Sequence, residues 1–567
     1  MGSIARLAVL LWVAALCGCA SLPPLTGRTE SIALRDTGDT RLGRMVTPLL
    51  ERHAGGSAAR AEAQPWTAPA TRPDPGLHQA ANESATRTAP RPAAVPGPAV
   101  TAGLYPLAGG EEALAARVAL IDAAERSLDI QYYIWRSDPS GLYLLEAIRR
   151  AADRGVRVRL LIDDNSTAGL DDTLAVLDAH PAIEVRLFNP FARRTARMLD
   201  YLADFSRLNR RMHNKSLTAD GQATIIGGRN IGDEYFDAVR EAAFADLDVL
   251  AVGPIVAQVA GDFDRYWASR SAYPAAGLIA SPEQAVVTER LAALTAAAAE
   301  RGARHDAQAR EFLEGLLGGD SRLVWAETRL IGDDPEQVLD GAAPPAPLVE
   351  RLERILGTPR ILLEIVTAYF VPLQEGVDYL AELVARGVEV RILTNSLAAT
   401  DVVAAHTGYA RWRKAVIEAG VSLYEYKPAA PTPPSGAAAG RKGAPALGIG
   451  RGPRGSGSSS SLHAKTFSVD HRRVVIGSFN FDPRSLQLNT ELGFIIDSAE
   501  LAGSVEEAFA ANVPQTAWKV SLADDGQLRW TGHEEGRPVR HDSEPAASFY
   551  RRAAAAVISL LPLDWML

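Results

Sequence analysis

Two copies of one spaced residue pattern, whose histidines lie 250 positions apart, constrain this chain more than any other feature of its sequence. Counted from its histidine, each copy has a lysine at plus two, an aspartate at plus seven, a glycine at plus fourteen and an asparagine at plus seventeen. The first copy consists of His213, Lys215, Asp220, Gly227 and Asn230, and the second of His463, Lys465, Asp470, Gly477 and Asn480. A shared pattern of this length predicts an internal duplication, with two halves that fold alike.

The segments that precede each copy support the duplication. In both halves a continuous apolar run is followed by a stretch with helical periodicity and then by a second apolar run. These segments are residues 127–135, 141–152 and 154–163 in the first half, and 362–370, 376–385 and 386–393 in the second. Strands that are apolar on both faces are typical of parallel sheets covered by helices. We therefore predict an α/β fold with two α/β/α domains.

Composition divides the rest of the chain. Residues 54–98 contain too few large apolar side chains to offset the entropy of ordering, and residues 281–317 are rich in alanine with helical periodicity. The expected boundaries are 1–19 for an export signal, 20–100 for a largely disordered tether, 101–270 for domain 1, 271–345 for a helical connecting insertion, 346–500 for domain 2 with a low-complexity loop at 428–460, and 501–567 for a C-terminal extension.

The first 19 residues have the pattern of an export signal. Their apolar run, residues 7–16, is shorter than the roughly 20 residues that a membrane-spanning helix needs. Residues 16–19 resemble the lipobox of bacterial lipoproteins, which implies that Cys19 is acylated as the first residue of the mature chain. The resemblance also implies a bacterial cell envelope location, with a lipid anchor in a membrane and the folded body in the periplasm. An ordinary cleaved signal peptide is the alternative.

Charge and cysteine content exclude several classes of protein. Acidic residues outnumber basic ones, 68 to 59, and the formal charge of -9 does not suggest a general affinity for nucleic acid. The only cysteines are Cys17 and Cys19, so the body of the chain has neither an internal disulfide nor a cysteine metal site.

The repeated pattern carries the groups that phosphoryl transfer needs. Residues two apart on a strand point the same way, so each histidine is predicted to project beside its lysine. Asp220 and Asp470 have the opposite parity, which favours a structural role for both. Two lysines can stabilise a phosphodiester, and two histidines can divide attack on phosphorus and proton donation between them.

Small residues accompany each asparagine of the pattern. Gly228 and Ser478 allow the backbone to approach a ligand closely, and the side chains of Asn230 and Asn480 offer amide donors nearby. Neither a carboxylate cage nor a Walker motif accompanies these residues, so we expect no metal and no cofactor.

Both copies closely resemble the paired HKD motifs of the phospholipase D superfamily, over about residues 104–498. The resemblance implies two phospholipase D-like domains related by pseudo-two-fold symmetry, with one shared active site. It implies that His213 is the nucleophile that forms a phosphohistidine, and that His463 is the general acid and later the base. An acidic residue should orient each histidine. The implied catalytic set is His213, Lys215, Asp220, His463, Lys465 and Asp470, supported by Asn230, Asn480, Gly228, Ser478, Glu491 and, with a spacing five residues longer, Asp246.

Within the superfamily, residues 210–215, 227–233 and 481–491 are similar to the bacterial cardiolipin synthases, in particular their C-type branch. The similarity implies a phosphatidyltransferase that acts on membrane phospholipids, with phosphatidylglycerol and also phosphatidylethanolamine as candidate substrates. A phosphohistidine can be released by any hydroxyl, so a phospholipase D-type hydrolase of lipids or nucleic acid is the alternative. A catalytically inactive lipid-binding lipoprotein is a second alternative. The sequence leaves open whether a partner protein is required.

The end of the chain permits two interpretations. Residues 549–567 combine Arg551 and Arg552 with an apolar stretch that includes Pro562 and Trp565. This segment is too short to span a bilayer, but it has the composition of one that lies in the membrane interface. The alternative is a terminal helix that docks on the folded body.

Overall fold

The computed structural model describes residues 21–25, 28–57, 96–236, 246–317, 323–339, 346–428, 461–534 and 536–561. The predictions for Cys19, for residues 58–95 of the tether, for loop residues 429–460 and for Trp565 lie outside these residues. The strands are β1 (Val100–Leu107), β2 (Ser127–Tyr132), β3 (Arg157–Asp163), β4 (Ile183–Phe188), β5 (Ser216–Ala219), β6 (Ala223–Gly227), β7 (Asp248–Val252), β8 (Ala272–Pro274), β9 (Val324–Gly332), β10 (Leu362–Thr367), β11 (Glu389–Asn395), β12 (Ser422–Tyr426), β13 (Lys465–Val469), β14 (Arg473–Gly477), β15 (Leu492–Asp497), β16 (Ala517–Leu522), β17 (Leu528–Glu534) and β18 (Arg537–His541). The helices are α1 (Arg41–Ser57), α2 (Gly110–Ala123), α3 (Pro139–Asp153), α4 (Asp171–Asp178), α5 (Arg197–Ala203), α6 (Phe205–Leu208), α7 (Asp233–Phe236), α8 (Ile255–Ala268), α9 (Gln284–Leu317), α10 (Leu348–Leu356), α11 (Leu373–Ala385), α12 (Val403–Glu418), α13 (Ala499–Thr516) and α14 (Phe549–Ile558).

The two halves share one strand topology. In the first half β2, β3 and β4 pair in parallel, and antiparallel strands extend the sheet in the order β8-β4-β3-β2-β5-β6-β7-β1. The second half repeats this order as β16-β12-β11-β10-β13-β14-β15-β9. All residues of β2 and β10 are buried, as expected for central strands covered on both faces. The predicted pair of α/β domains is therefore confirmed.

Strand β9 joins the two halves. It pairs antiparallel with β1, where Ala102 lies opposite Ala326, and it pairs with β15 on its other edge. Because β1 and β9 hold the same place in their halves, the pseudo-two-fold axis passes between them. Helix α9 coincides with the predicted helix of the insertion 271–345, but β9 was not predicted. Glu327 and Arg329 interrupt its apolar pattern, so it lacks the signal by which the parallel strands were recognised.

A hydrophobic core shared by both halves fixes their relative position. It contains Ile226 of β6 and Ile255 of α8 from the first half, and Ile476 of β14 and Leu501 of α13 from the second. Burying each such side chain contributes about 1.5–3 kcal/mol, so a core of this size favours one arrangement of the two halves. The segments that carry the two motif copies are therefore held against each other.

The amino-terminal segment 28–57 packs on the first half. Leu42, Val46 and Leu49 of α1 are buried in its core, and the backbone N–H of Ala33 donates to Asp264 Oδ1 at 3.0 Å. The prediction of a tether that begins at residue 20 is therefore wrong for this segment. The three apolar residues lie on one face of a helix, and this spacing is the signal that predicts its docking.

The second half continues beyond residue 500, the boundary that we predicted. Strand β16 pairs antiparallel with β12, as β8 pairs with β4, and β17 and β18 follow as a hairpin. Helix α14 lies on α12, where the Arg411 guanidinium donates to the carbonyl of Ser559 at 2.6 Å. Up to residue 561, the carboxyl-terminal segment thus docks on the folded body.

Among the helices within the described ranges, none combines the length and the apolar composition needed to cross a membrane.

Candidate active site

Each motif histidine lies directly before a strand. His213 and Lys215 precede β5, and His463 precedes β13, whose first residue is Lys465. The prediction that each histidine and its lysine share a strand is therefore wrong. In the first half the chain turns to the other half at this point, where the N–H of His213 donates to the carbonyl of Thr490 at 2.9 Å.

The two halves exchange carboxylates at the histidines. His213 Nδ1 lies 2.8 Å from Glu491 Oε2 of the second half, and His463 Nδ1 lies 2.6 Å from Asp246 Oδ2 of the first half. The sequence predicted both carboxylates but not this crossing. Because each histidine depends on the opposite half, the two motif copies form one site.

The lysines lie close to their histidines. Lys215 Nζ donates to the carbonyl of His213, and Lys465 Nζ donates to the carbonyl of His463 and lies 3.2 Å from His463 Nδ1. Both lysine side chains are buried. Each ammonium is thereby held at the backbone carbonyl of its own motif histidine, and that of Lys465 also reaches the imidazole.

Asp220 and Asp470 lie away from the histidines and hold the loops that start β2 and β10. The Asp220 carboxylate accepts the backbone N–H groups of Glu125, Arg126 and Ser127 at 2.8–3.0 Å. The Asp470 carboxylate accepts those of Arg360, Ile361 and Leu362 at 2.7–3.1 Å. This placement agrees with their opposite strand parity. Neither aspartate is placed to touch a substrate held by the histidines.

Each asparagine connects its motif to the end of a central strand. Asn230 Oδ1 accepts the N–H of Ile134 at 3.2 Å, and its Nδ2 donates to the Tyr235 hydroxyl at 3.1 Å. Asn480 Oδ1 accepts the Thr367 hydroxyl at 3.3 Å. The two amides thus lie at equivalent places in the two halves.

The residue two positions before each asparagine lies against the carboxylate that its half supplies to the site. A Cβ atom on Gly228 would lie 2.1 Å from Asp246 Oδ1, so only glycine leaves room for this aspartate. In the second half the Ser478 hydroxyl donates to Glu491 Oε2. Glycine with aspartate in one half therefore corresponds to serine with glutamate in the other.

Burial controls the ionisation of the first histidine and its glutamate. It lowers the pKa of His213 well below 6.5, and the charges of Lys215 and Lys465 lower it further. Burial raises the pKa of Glu491 to about 8, although Lys215 opposes this shift. Its Oε1 atom is buried without a hydrogen-bond partner. His213 is therefore held neutral.

The second pair, His463 and Asp246, differs from the first in the charge of its carboxylate. Burial alone would raise the pKa of Asp246, but the charge and hydrogen bond of His463 lower it well below its usual value. Burial and Lys465 lower the pKa of His463, and Asp246 opposes them. Burial also lowers the pKa of Lys465 and lowers that of Lys215 to about 7. An ionised carboxylate thus supports His463.

Two tyrosines of the first half pack edge-on against the histidines. The ring centroids of Tyr133 and His213 are 5.0 Å apart, and those of Tyr235 and His463 are 5.1 Å apart. Tyr235 was not predicted as a site residue, and a signal for it was its position five residues after the motif asparagine. The duplication places Ala368 and Ser485 at the equivalent positions, so the second half lacks these rings.

The backbone immediately before each histidine is also anchored. Asp163, at the end of β3, accepts the N–H of Met212 at 2.8 Å, and Asn395, at the end of β11, accepts that of Leu462 at 3.0 Å. Neither residue was predicted from the sequence as part of the site. Parallel strands end at the same edge of a sheet, and this rule was the available signal.

Within the described ranges, no group of three or more histidine, cysteine or carboxylate side chains is arranged to hold a metal ion.

Two duplicated α/β halves that bring two histidine–lysine pairs to one site define a protein of the phospholipase D type. The family model described as "Cardiolipin synthase, PLD-like domain" matches residues 118–267 and 356–513. The chain belongs to this family.

The chain is similar to several cardiolipin synthases. It is 47% identical to cardiolipin synthase C of Escherichia coli over 467 residues, which cover 82% of this chain and 96% of the relative. It is 25% identical to cardiolipin synthase A of Pseudomonas entomophila over 72% of this chain and 68% of that relative. The predicted resemblance to the C-type branch is confirmed, as is the prediction of a cardiolipin synthase-like phosphatidyltransferase.

A solved structure shares the fold. The phosphatidylserine synthase of Haemophilus influenzae matches with a TM-score of 0.51 and 14% identity, over 83% of this chain and 97% of that chain. At this identity the match concerns the fold alone.

Proposed function

We propose that the protein transfers a phosphatidyl group between membrane phospholipids through a phosphohistidine on His213. The observation that carries this proposal is the crossed pairing of His213 with Glu491 and of His463 with Asp246, at 2.8 and 2.6 Å. In both pairs Nδ1 faces the carboxylate, which leaves Nε2 of each ring for the substrate. One phosphate between the two Nε2 atoms can then receive a nucleophile from one half and an acid from the other.

In the first step, His213 Nε2 attacks the phosphorus of the donor lipid. The bond between phosphorus and the leaving oxygen breaks, its electron pair goes to that oxygen, and the oxygen takes a proton from His463 Nε2. The lowered pKa of His213 keeps the nucleophile neutral, and the ionised Asp246 stabilises the protonated form of His463. The product is a phosphatidyl group bound to His213.

In the second step, a lipid hydroxyl gives its proton to His463 and attacks phosphorus. The phosphorus–nitrogen bond breaks, and its electron pair returns to His213 Nε2. Lys215 and Lys465, which are close to the histidines, stabilise the negative oxygens in both steps. The same residues therefore serve formation and release of the intermediate.

We infer that phosphatidylglycerol supplies the accepting hydroxyl, and that phosphatidylglycerol or phosphatidylethanolamine is the donor. The similarity to cardiolipin synthase C over 82% of the chain supports this choice. The net charge of -9 disfavours a nucleic acid substrate. Transfer to water instead of a lipid hydroxyl would give a lipid hydrolase.

We also propose that Cys19 is acylated and anchors the protein to a membrane of the bacterial cell envelope, with its body in the periplasm. The lipobox-like residues 16–19 after a short apolar run support this proposal. Metabolic labelling with a fatty acid should mark the full chain and leave Cys19→Ser unmarked. Equal labelling of both would contradict it.

Thin-layer analysis of lipid products tests the function. We expect cardiolipin from phosphatidylglycerol alone or with added phosphatidylethanolamine, and none from His213→Ala. With a donor that carries labelled phosphorus and an acidic leaving group, which departs without a proton from His463, His463→Ala should accumulate label on the protein, because release still needs the base. Accumulation of phosphatidic acid without cardiolipin would reject the transferase assignment.

A further inference from the structure

Exposed large apolar side chains concentrate at two places on the described surface. Nine of the twelve such residues lie there, and isolated ones elsewhere need no explanation. The α5 patch consists of Met198, Leu199 and Leu202, and the α14 patch consists of Val402, Phe549, Tyr550, Val557, Leu560 and Leu561. Leu202 and Leu560 are 80% and 83% exposed, which is unfavourable for leucine in water unless something covers them.

The α5 patch lies beside His213. On the inner side of α5, the Tyr201 hydroxyl donates to Asn165 Oδ1 at 3.0 Å. Asn165 Nδ2 in turn donates to the hydroxyl of Tyr133 at 3.2 Å, and the Tyr133 ring packs on His213. Two side chains thus separate α5 from the proposed nucleophile.

The α14 patch lies beside the second motif. Arg551 of α14 donates to the carbonyl of Thr400, and the next residue, Asp401, accepts the Tyr369 hydroxyl at 2.9 Å. Tyr369 follows the end of β10, and the charge of Asp401 acts on the pKa of Lys465. The two patches therefore flank the active site, one in each half.

The charge of the α14 segment itself suits an anionic surface, although Asp401 and Glu544 lie beside its two arginines. Residues 549–561 contain Arg551 and Arg552 and no acidic residue, whereas the chain as a whole carries -9. Arginines beside exposed aromatic and aliphatic side chains are typical of segments that lie in the headgroup region of a bilayer. Phosphatidylglycerol, the substrate proposed above, carries negative charge at that depth.

We propose that the α5 and α14 patches together form one docking surface for a phospholipid bilayer. The proposal rests on the proposed function, because a phosphodiester in the headgroup layer must reach the two histidines. Contact at both sides of the active site holds the site against the headgroups. The α5 patch extends this contact to the first half. Both motif histidines are then held at the bilayer surface.

Single-cysteine labelling tests the surface directly, since the full chain has only Cys17 and Cys19. Both are replaced by serine, and Leu202→Cys, Phe549→Cys or Ile361→Cys is added with a fluorophore that senses polarity. Ile361 is the matched control, because it is 57% exposed and precedes β10 at the end opposite the active site. Vesicles contain phosphatidylglycerol and phosphatidylethanolamine, with or without a nitroxide lipid as quencher.

We expect the labels at 202 and 549 to shift to the blue on vesicles and to be quenched, and the label at 361 to do neither. Equal behaviour of all three labels, or quenching at one patch alone, would overturn the proposal. A shift at 202 and 549 that occurs without vesicles and depends on protein concentration would also overturn it and indicate a second copy of the chain.

The same measurement in a His213→Ala background separates this proposal from the proposed function. Insertion of both patches without any lipid product from the unmodified chain would reject the enzyme assignment and keep the docking surface.

Turnover on vesicles gives a second readout. Leu202→Asp with Phe549→Asp should lower it about tenfold or more relative to Ile361→Asp, because two buried apolar contacts are lost. Equal turnover would overturn the docking surface alone.

Discussion

The two histidines have different carboxylate partners, although their halves share a fold. Glu491 is neutralised by burial and keeps one oxygen without a partner, whereas Asp246 is held ionised by His463. A neutral imidazole suits attack on phosphorus, and an imidazolium beside a carboxylate suits proton donation. Burial lowers the pKa of both histidines, but an ionised carboxylate opposes this shift at His463 alone. His463 is therefore the more readily protonated of the two and takes the acid role in the proposed mechanism.

Replacing the two carboxylates should give different defects. Asp246→Asn should lower kcat about 100-fold or more, because protonated His463 loses its stabilising charge. The defect should be smaller for a donor with a more acidic leaving group, which needs less protonation. Glu491→Gln is the matched variant, and its defect should not depend on the leaving group. Rates with lipid analogues of graded leaving-group pKa measure this, and equal dependence in both variants would contradict the assignment.

The pKa of about 7 for Lys215 predicts a pH dependence. Its ammonium is charged below this value and neutral above it, so kcat/KM should fall as the pH rises through about 7. The free enzyme determines kcat/KM, so this is the quantity to follow between pH 5 and 9. A flat profile up to pH 9 would contradict the shift.

The same shift predicts an effect on stability. Because the folded-state pKa of Lys215 lies below its ordinary 10.5, burial of its charge opposes folding fully below pH 7, and the penalty disappears above 10.5. Lys215→Met should therefore raise Tm more at pH 6 than at pH 10 while abolishing turnover. Thermal unfolding at the two pH values checks this, and an equal Tm change at both would contradict it.

Among the elements, the strand starts depend on the motif aspartates. Asp220→Asn removes one acceptor oxygen from the loop before β2, and asparagine tolerates the positive φ of 50° found there. We expect a loss of about 1–3 kcal/mol in the free energy of unfolding. The exposed Asp524→Asn is the control. Denaturant unfolding measures both, and an unchanged stability together with an altered pH profile of kcat/KM would instead indicate a catalytic role.

The elements also show what the sequence can predict. The parallel strands and their helices follow from apolar periodicity, and the opposite parity of Asp220 and Asp470 follows from strand geometry. Strand β9 could not be recognised because polar residues lie in its centre. The pairing of Glu491 with His213 of the other half depends on how the halves pack, which no local pattern encodes. Asp163 and Asn395 were missed for a related reason, since they act on backbone groups distant in sequence.

For the whole molecule, the duplication explains why one site needs two halves. The β1–β9 pair and the shared core around Ile226 and Ile476 bring the motif segments together. The symmetry is broken at the site itself, because Tyr133 and Tyr235 have no aromatic counterparts in the second half. A pseudo-symmetric scaffold thus supports two unequal steps of one reaction.

A crystal structure of the protein with vanadate, which adopts the five-coordinate geometry of a phosphoryl transition state, tests whether both histidines act on one phosphorus. We expect a single vanadate with His213 Nε2 as an axial ligand and His463 Nε2 within about 3 Å of the opposite axial oxygen. Vanadate bound to one histidine, with the other imidazole directed to a separate surface, would contradict the shared site.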